Sequence, residues 1–302
     1  MTNHVEQTNE FFLTTNDHID LFVRDWSPAL ATSAASDNLS PSSTALPAGV
    51  VIMHGLGEHC GRYAHVARFF SRLGFAVRTY DLRGHGQSAG ARGSVPDGDA
   101  MLRDARLVIN DFTAQLHAPP VLFGHSMGGL FAARFATEGL APLRALILSS
   151  PALAVQLSSL ELMLLKVATV LFPGLGISNG VRPRYLTHDA EVVAAYKNDR
   201  LVHTRISARL LNSMRAAMVY AHDHAPQLQI PVLMLVAEDD RLVDPMGSKS
   251  FAARLPTASS KAIFYEGFYH EVFNELDATR VFDDLRLWLD VQGLSPAAAF
   301  PS

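Results

Sequence analysis

Val121-Leu122-Phe123-Gly124-His125-Ser126-Met127-Gly128-Gly129-Leu130 sets a G-x-S-x-G sequence between a short apolar run and a segment of helical spacing that reaches Glu138. Val121 to Phe123 reads as a strand and Leu130 to Glu138 as a helix, so Ser126 falls on a tight strand-to-helix turn. Such a turn lifts the serine hydroxyl above the sheet edge, and small residues on either side let strand and helix approach without a Cβ clash. The helix amino terminus beyond it favours developing negative charge. The same letters in an ordinary glycine-rich turn would carry no chemistry; the strand before and the helix after point to a nucleophile.

Outward from this turn the alternation of strand and helix continues. Val50 to Met53, Phe75 to Tyr80 and Leu143 to Leu148 read as further strands; Tyr63 to Leu73 and Met101 to Leu116 read as helices. Phe11 to Leu13 and Ile19 to Trp26 read as a hairpin that opens the chain. From Pro151 to Pro226 the rhythm stops and apolar residues recur at helical intervals, most densely from Leu160 to Phe172. The rhythm resumes with a strand to Val236, a helix over Ser248 to Leu255, a strand over Ala262 to Tyr265 and a final helix over Val272 to Leu289.

This order predicts an α/β fold, a mostly parallel sheet with helices on both faces. Residues 1–150 form the first part of the core, with 27–47 a flexible loop; 151–226 form an inserted helical cap; 227–293 complete the core; and 294–302 form a flexible tail.

Of the 302 residues, 48% are hydrophobic and 18% charged, which fits a globule rather than a disordered chain. Lys plus Arg is 25 against 29 Asp plus Glu, a net charge of −4, so no basic excess drives binding to a phosphate backbone, and nucleic acid is not an expected partner. The single cysteine, Cys60, forms neither an intrachain disulfide nor a multi-thiolate metal site. The amino terminus lacks a basic start and apolar run, and no uncharged stretch reaches the roughly 20 apolar residues that a membrane-spanning helix needs, so a cytoplasmic location is the expectation.

Two other chemistries are set aside on spacing. Gly55-Leu56-Gly57 with Asp81 imitates a dinucleotide fingerprint, but Cys60 stands where the third glycine is needed. His222 and His224 lie two apart and share no helix face, so no metal is expected there, and no organic cofactor is implied.

A serine hydroxyl needs a histidine base and an acid that orients it, following in the order serine, acid, histidine. His270 is the only histidine after residue 224, and it follows the strand Ala262 to Tyr265. Asp239, Asp240 and Asp244 all follow the strand ending at Val236, and spacing alone leaves the choice open, although Asp244 immediately before Pro245 reads better as a helix cap. The backbone N–H of Met127 is the expected first oxyanion donor, and the loop His54-Gly55-Leu56-Gly57 can supply the second from Leu56.

Five blocks together carry a resemblance. His54-Gly55-Leu56-Gly57-Glu58-His59-Cys60-Gly61-Arg62-Tyr63, Asp81-Leu82-Arg83-Gly84-His85-Gly86-Gln87-Ser88, Gly124-His125-Ser126-Met127-Gly128-Gly129, Asp240-Arg241-Leu242-Val243-Asp244 and Tyr265-Glu266-Gly267-Phe268-Tyr269-His270-Glu271 are similar to the monoacylglycerol lipase and lysophospholipase branch of the α/β-hydrolases.

The resemblance spans about residues 10–290. It implies Ser126, Asp240 and His270 as catalytic triad, Leu56 and Met127 as oxyanion donors, and Arg62 and Tyr196 at the polar end of the substrate pocket; for Arg62 a structural salt bridge with Glu58 is the alternative. It also implies a mobile cap over an acyl tunnel. Where the family usually has proline, this chain has Arg200.

The expected activity is hydrolysis of a monoacylglycerol, or a closely related lysolipid, through an acyl-enzyme. A broad carboxylesterase or lysophospholipase acting on short or medium acyl esters is the alternative, and a non-catalytic binding protein of the same fold is a remote one. The segment Leu160 to Phe172 is apolar nearly all round, so either the core covers it or it guides lipid and touches membranes transiently.

Overall fold

A computed structural model of the chain describes residues 8–29, 48–154, 159–256, 258 and 260–296. β1 (Thr8–Thr14) and β2 (Asp20–Trp26) form an antiparallel hairpin with Thr8 opposite Trp26 and Thr14 opposite Asp20. There follow β3 (Gly49–Met53), α1 (Ala64–Arg72), β4 (Ala76–Tyr80), α2 (Ala100–Thr113), β5 (Val121–His125), α3 (Ser126–Glu138) and β6 (Ala145–Ser149). The chain then leaves the sheet through α4 (Ser159–Leu171), β7 (Gly176–Ser178), α5 (Ala190–Asn198), β8 (Arg205–Ser207) and α6 (Ala208–His224). It returns as β9 (Val232–Ala237), α7 (Pro245–Ala252), β10 (Ser260–Tyr265) and α8 (Ala278–Val291).

One sheet of eight strands has the order β1-β2-β4-β3-β5-β6-β9-β10. β2 runs antiparallel to β4, and every pairing from β4 through β10 is parallel. The continuous apolar runs of β3, β5 and β6 follow from burial on both faces. Val51, Met53, Leu122 and Leu148 pack with Phe112 of α2 and Phe131 of α3 on one side. Val50, Ile52, Phe123 and Ile147 pack with Phe70 of α1 and Trp288 of α8 on the other. Each such side chain contributes about 1.5–3 kcal/mol by leaving water. The fold is the expected α/β arrangement.

Because β3, β5, β9 and β10 are parallel, their carboxyl ends emerge at one sheet edge, and the loops carrying Leu56, Ser126, Asp240 and His270 converge there.

Three local expectations are corrected. The helix after β5 begins at Ser126, well before Leu130, because Gly128 and Gly129 continue the helix instead of breaking it. The final helix is not continuous from Val272: a single 3-10 turn, Val272–Asn274, precedes α8. Its break is stabilised by partners from the inserted segment, since Asn274 O accepts from Thr187 Oγ1 at 2.7 Å and Glu275 Oε2 accepts from His188 N at 3.2 Å. The inserted segment is also not all helix. Gly176 to Ser178 pair antiparallel with Ser207 to Arg205, and three-residue strands are too short to show a period of two.

The loop expected over 27–47 lies, from residue 30 onward, outside the described residues, as does the tail from residue 297. Among the described residues, no helix is long and apolar enough to cross a membrane.

Candidate active site

Ser126 is the first residue of α3 and adopts φ 52°, a left-handed conformation that costs a non-glycine residue energy and persists only where the surroundings enforce it. Two features enforce it. Ser126 O accepts from Ala152 N at 3.0 Å. Gly128 packs so closely that a Cβ there would stand 2.4 Å from the carbonyl oxygens of both Met53 and His54. The nucleophile, the end of β3 and the start of α3 are thereby locked together.

The loop after β3 is held from both sides. His54 Nε2 accepts the N–H of Leu82 at 2.9 Å, so in the neutral ring the proton sits on Nδ1, which donates to Gly55 O at 2.7 Å. Burial favours that neutral form by pushing the His54 pKa down. Gly55 N donates to Glu58 Oε1 at 2.6 Å. Gly57 has φ 79°, and a Cβ on it would stand 2.3 Å from His203 O. Leu56 and Met127 both line the cavity that Ser126 and His270 share.

Of the three competing aspartates, Asp240 alone reaches the imidazole. His270 Nδ1 lies 2.6 Å from Asp240 Oδ2, and Asp240 Oδ1 accepts from Leu242 N at 2.8 Å and Val243 N at 3.0 Å. Asp239 Oδ2 accepts from Gly267 N at 2.6 Å, and Asp244 Oδ1 accepts from Met246 N at 2.9 Å as the cap of α7. Burial alone would push His270 down, but the charge and hydrogen bond of Asp240, aided by Glu271 and Glu58, outweigh it and raise its pKa. Burial would raise Asp240; the His270 charge, its hydrogen bond and the two backbone donors hold it below the usual carboxylate range.

A second imidazole, His125, stands beside Ser126 with its ring 4.7 Å from that of His270. Its Nδ1 meets the Ser149 hydroxyl at 3.0 Å, with no carboxylate behind it. Burial, reinforced by the charge of His270, pushes it down to about 4. It is the poorer base on both counts.

This burial has a consequence for stability. The unfolded chain protonates such a ring near the ordinary value of about 6.5. Below that pH the unfolded state binds more protons, so stability present above about pH 6.5 is lost at about 1.4 kcal/mol per pH unit as pH falls toward the folded-state value. Urea unfolding at about pH 5 should therefore show about 2 kcal/mol less stability from His125 than at about pH 7.5. A His125→Gln variant should show a shallower decline; an unchanged slope would contradict the assignment.

Arg62 and Tyr196 occupy different places. Tyr196 is buried and lines the cavity. Arg62 is absent from the lining: its Nη1 donates to Glu58 Oε2 and to Glu271 Oε1 at 2.6 Å, and its Nη2 to Glu271 Oε2 at 2.8 Å. Its guanidinium lies over the Tyr196 ring at 4.8 Å.

Sequence reading gave Glu271 no role and treated Glu58 only as an ion-pair partner for Arg62, yet both are buried and face the cavity. The available signal was two acids inside motif blocks at loop positions next to the oxyanion loop and the base. Much of the remaining lining is apolar, with Ile206, Leu211, Met214, Met218 and Val243 among it.

His222 and His224 turn to separate backbone carbonyls, those of Leu153 and Tyr220. Among the described residues, no group of three or more His, Cys, Asp or Glu side chains is placed to hold a metal ion.

A doubly covered parallel sheet, a left-handed serine at the β5–α3 turn and a histidine–aspartate pair at the same edge define an α/β-hydrolase. Residues 45–277 match the family described as serine aminopeptidase, S33, and the chain belongs to that family. A monoacylglycerol lipase of Mycolicibacterium smegmatis is 34% identical over 252 residues, covering 80% of this chain and 88% of the relative. The crystal structure of a Paleococcus ferrophilus monoacylglycerol lipase superposes with a TM-score of 0.76 at 34% identity, covering 82% of this chain and 96% of that one.

An uncharacterized abhydrolase domain-containing protein of Dictyostelium discoideum is 35% identical over 267 residues, 87% of this chain, which spans only 27% of that relative's length. Within the family the chain falls in the monoacylglycerol lipase and lysophospholipase branch and is a carboxylic ester hydrolase. The family description names a peptidase, but attack of serine on an ester or an amide carbonyl needs the same machinery.

Proposed function

We propose that the chain hydrolyses monoacylglycerols to fatty acid and glycerol through an acyl-enzyme. The observation that carries this reading is the 2.6 Å contact of Asp240 with Nδ1 of His270, whose ring lines the same cavity as Ser126. Ser126 Oγ attacks the ester carbonyl while His270 Nε2 takes its proton, and the backbone N–H groups of Leu56 and Met127 receive the oxyanion. His270 then returns the proton to the leaving alkoxide, the glycerol departs, and a water activated by the same imidazole cleaves the acyl-enzyme. Asp240 keeps Nδ1–H fixed throughout, so that Nε2 is the free acceptor.

The substrate class rests on two supports. The cavity lining combines apolar side chains suited to a single acyl chain with the polar groups of Glu58, Glu271 and Tyr196, suited to a hydroxyl-rich head group. A relative and a solved structure, each 34% identical to this chain, are named monoacylglycerol lipases.

The inserted segment acts as the cap in this reading. On α4 and just beyond it Met163, Leu164, Val167, Val170, Leu171 and Phe172 are exposed, between 49% and 78%, whereas Leu165 is buried. That face meets the lipid surface from which a cytoplasmic enzyme would draw its substrate.

Purified protein offered monoacylglycerols, diacylglycerols, lysophosphatidylcholine and p-nitrophenyl esters should release fatty acid fastest from the monoacylglycerols; a preference for lysophosphatidylcholine would replace the reading with a lysophospholipase. In the same assay Leu164→Asp or Leu171→Asp should reduce hydrolysis of long-chain monoacylglycerol about fivefold or more and leave p-nitrophenyl acetate nearly unaffected, since exposed positions contribute little to stability. Equal losses on both substrates would assign the face to folding.

A further inference from the structure

We infer that Arg62 is a positioning residue that clamps the oxyanion loop to the base loop, and not a contact for the substrate head group. The inference rests on the serine-hydrolase reading of the site.

Three segments meet at its guanidinium. On one side stands Glu58, whose Oε1 accepts both Gly55 N and the Tyr63 hydroxyl at 2.6 Å, so this carboxylate fixes the His54–Gly55 peptide, one peptide ahead of the Leu56 N–H. On the other stands Glu271, next in sequence to His270, gripped by both terminal nitrogens of Arg62 and by Asn274 Nδ2 at 2.8 Å. Glu271 N also donates to Leu186 O at 2.8 Å, which ties the base loop to the inserted segment. Tyr196 of α5 lies against the guanidinium face.

The sites of oxyanion binding and proton transfer come from loops more than 200 residues apart in sequence, since Arg62 and Glu271 are separated by 209. A planar cation with a forked donor set, buried between two carboxylates, fixes their relative position in a way that a flexible ammonium does not. A misplacement of about 1 Å between such groups costs on the order of a hundredfold in rate.

The clamp also carries charge. Burial opposes ionisation of both acids, but the Arg62 guanidinium beside them holds Glu58 and Glu271 below their ordinary values. Two carboxylates and one guanidinium leave one net negative charge near His270, where it favours the imidazolium formed as Ser126 loses its proton. Asp240 supplies the larger part of that effect, through direct contact.

The test is steady-state kinetics on p-nitrophenyl acetate and on a monoacylglycerol, for wild type, Arg62→Met, Arg62→Lys and Glu271→Gln. Arg62→Met should lose about 10- to 100-fold in kcat on both substrates with KM nearly unchanged. Arg62→Lys should recover part of that loss. Glu271→Gln keeps the shape and one acceptor but removes a negative charge beside the base, so the acid limb of its pH profile should move down by about half a pH unit.

A loss confined to the monoacylglycerol and expressed in KM would overturn the inference in favour of head-group contact. An unmoved acid limb in Glu271→Gln would overturn the electrostatic part. Should Arg62→Met not fold, Arg62→Lys and Glu271→Gln still decide, the first by its kcat on the two substrates and the second by its acid limb. Labelling of wild type by a fluorophosphonate separates the two levels: if Ser126 is not labelled, the hydrolase mechanism itself fails; if it is labelled and the Arg62 variants match wild type, only the clamp fails.

Discussion

Ser126→Ala is expected to lower kcat for ester hydrolysis by roughly 10^6-fold and to abolish fluorophosphonate labelling while the fold is retained. The size follows from the loss of the covalent route: without Oγ the base has no proton to take, and what remains is the residual rate from oxyanion donors and binding. The fold should persist because the positive φ at this position is imposed by the backbone contacts of Ala152 and by the Gly128 packing, neither of which involves the hydroxyl. Circular dichroism and thermal unfolding of the variant should match wild type, and mass spectrometry should place the phosphonate of the wild-type adduct on Ser126. Labelling of the variant at the wild-type rate would move the nucleophile elsewhere.

Asp240→Asn is expected to cost about 10^4-fold in kcat, and Asp239→Asn less than about fivefold. The difference lies in what each carboxylate holds. Asp240 Oδ1 is occupied by the N–H groups of Leu242 and Val243, so the asparagine oxygen stays with these donors and its amide NH2 turns toward His270. Facing a donor, Nδ1 must accept, the ring proton moves to Nε2, and the imidazole can no longer take a proton from Ser126. Asp239 instead fixes Gly267 N at an exposed turn. The residual activity of Asp240→Asn should keep the wild-type KM, since the acid does not touch substrate. Comparable losses in the two variants would show that the loop, not the tautomer, was disturbed.

The fold was largely legible because its sheet is buried on both faces: short apolar runs such as Val50 to Met53 and Val121 to Phe123 have few other uses in a chain of alternating helices. The chemistry was legible at Ser126 for a related reason, since the glycines around it are demanded by backbone contact and so survive as a spaced pattern. What stayed hidden depends on long-range partners. The start of α3 at Ser126 could not be read because glycines at 128 and 129 look like breakers until their close packing is seen. The break before α8 depends on Thr187 and His188, which arrive from another part of the chain. Three neighbouring aspartates are equivalent as letters, and only the direction each side chain takes separates the partner of His270 from two turn and cap residues. Arg62 was read as a substrate contact or an ion-pair partner of Glu58; its second carboxylate, Glu271, comes from near the other end of the chain.

The packing of Gly128 against the carbonyls of Met53 and His54 divides the molecule into ground that can be rebuilt and ground that cannot. A thiol in place of the Ser126 hydroxyl asks for no new backbone space, so the reacting atom itself is open to replacement, whereas a single methyl at 128 would drive β3 and α3 apart. Directed evolution of this enzyme toward other acyl groups should therefore gather its accepted changes on the walls contributed by α6 and the segment before it, and leave the hinge of the nucleophile untouched.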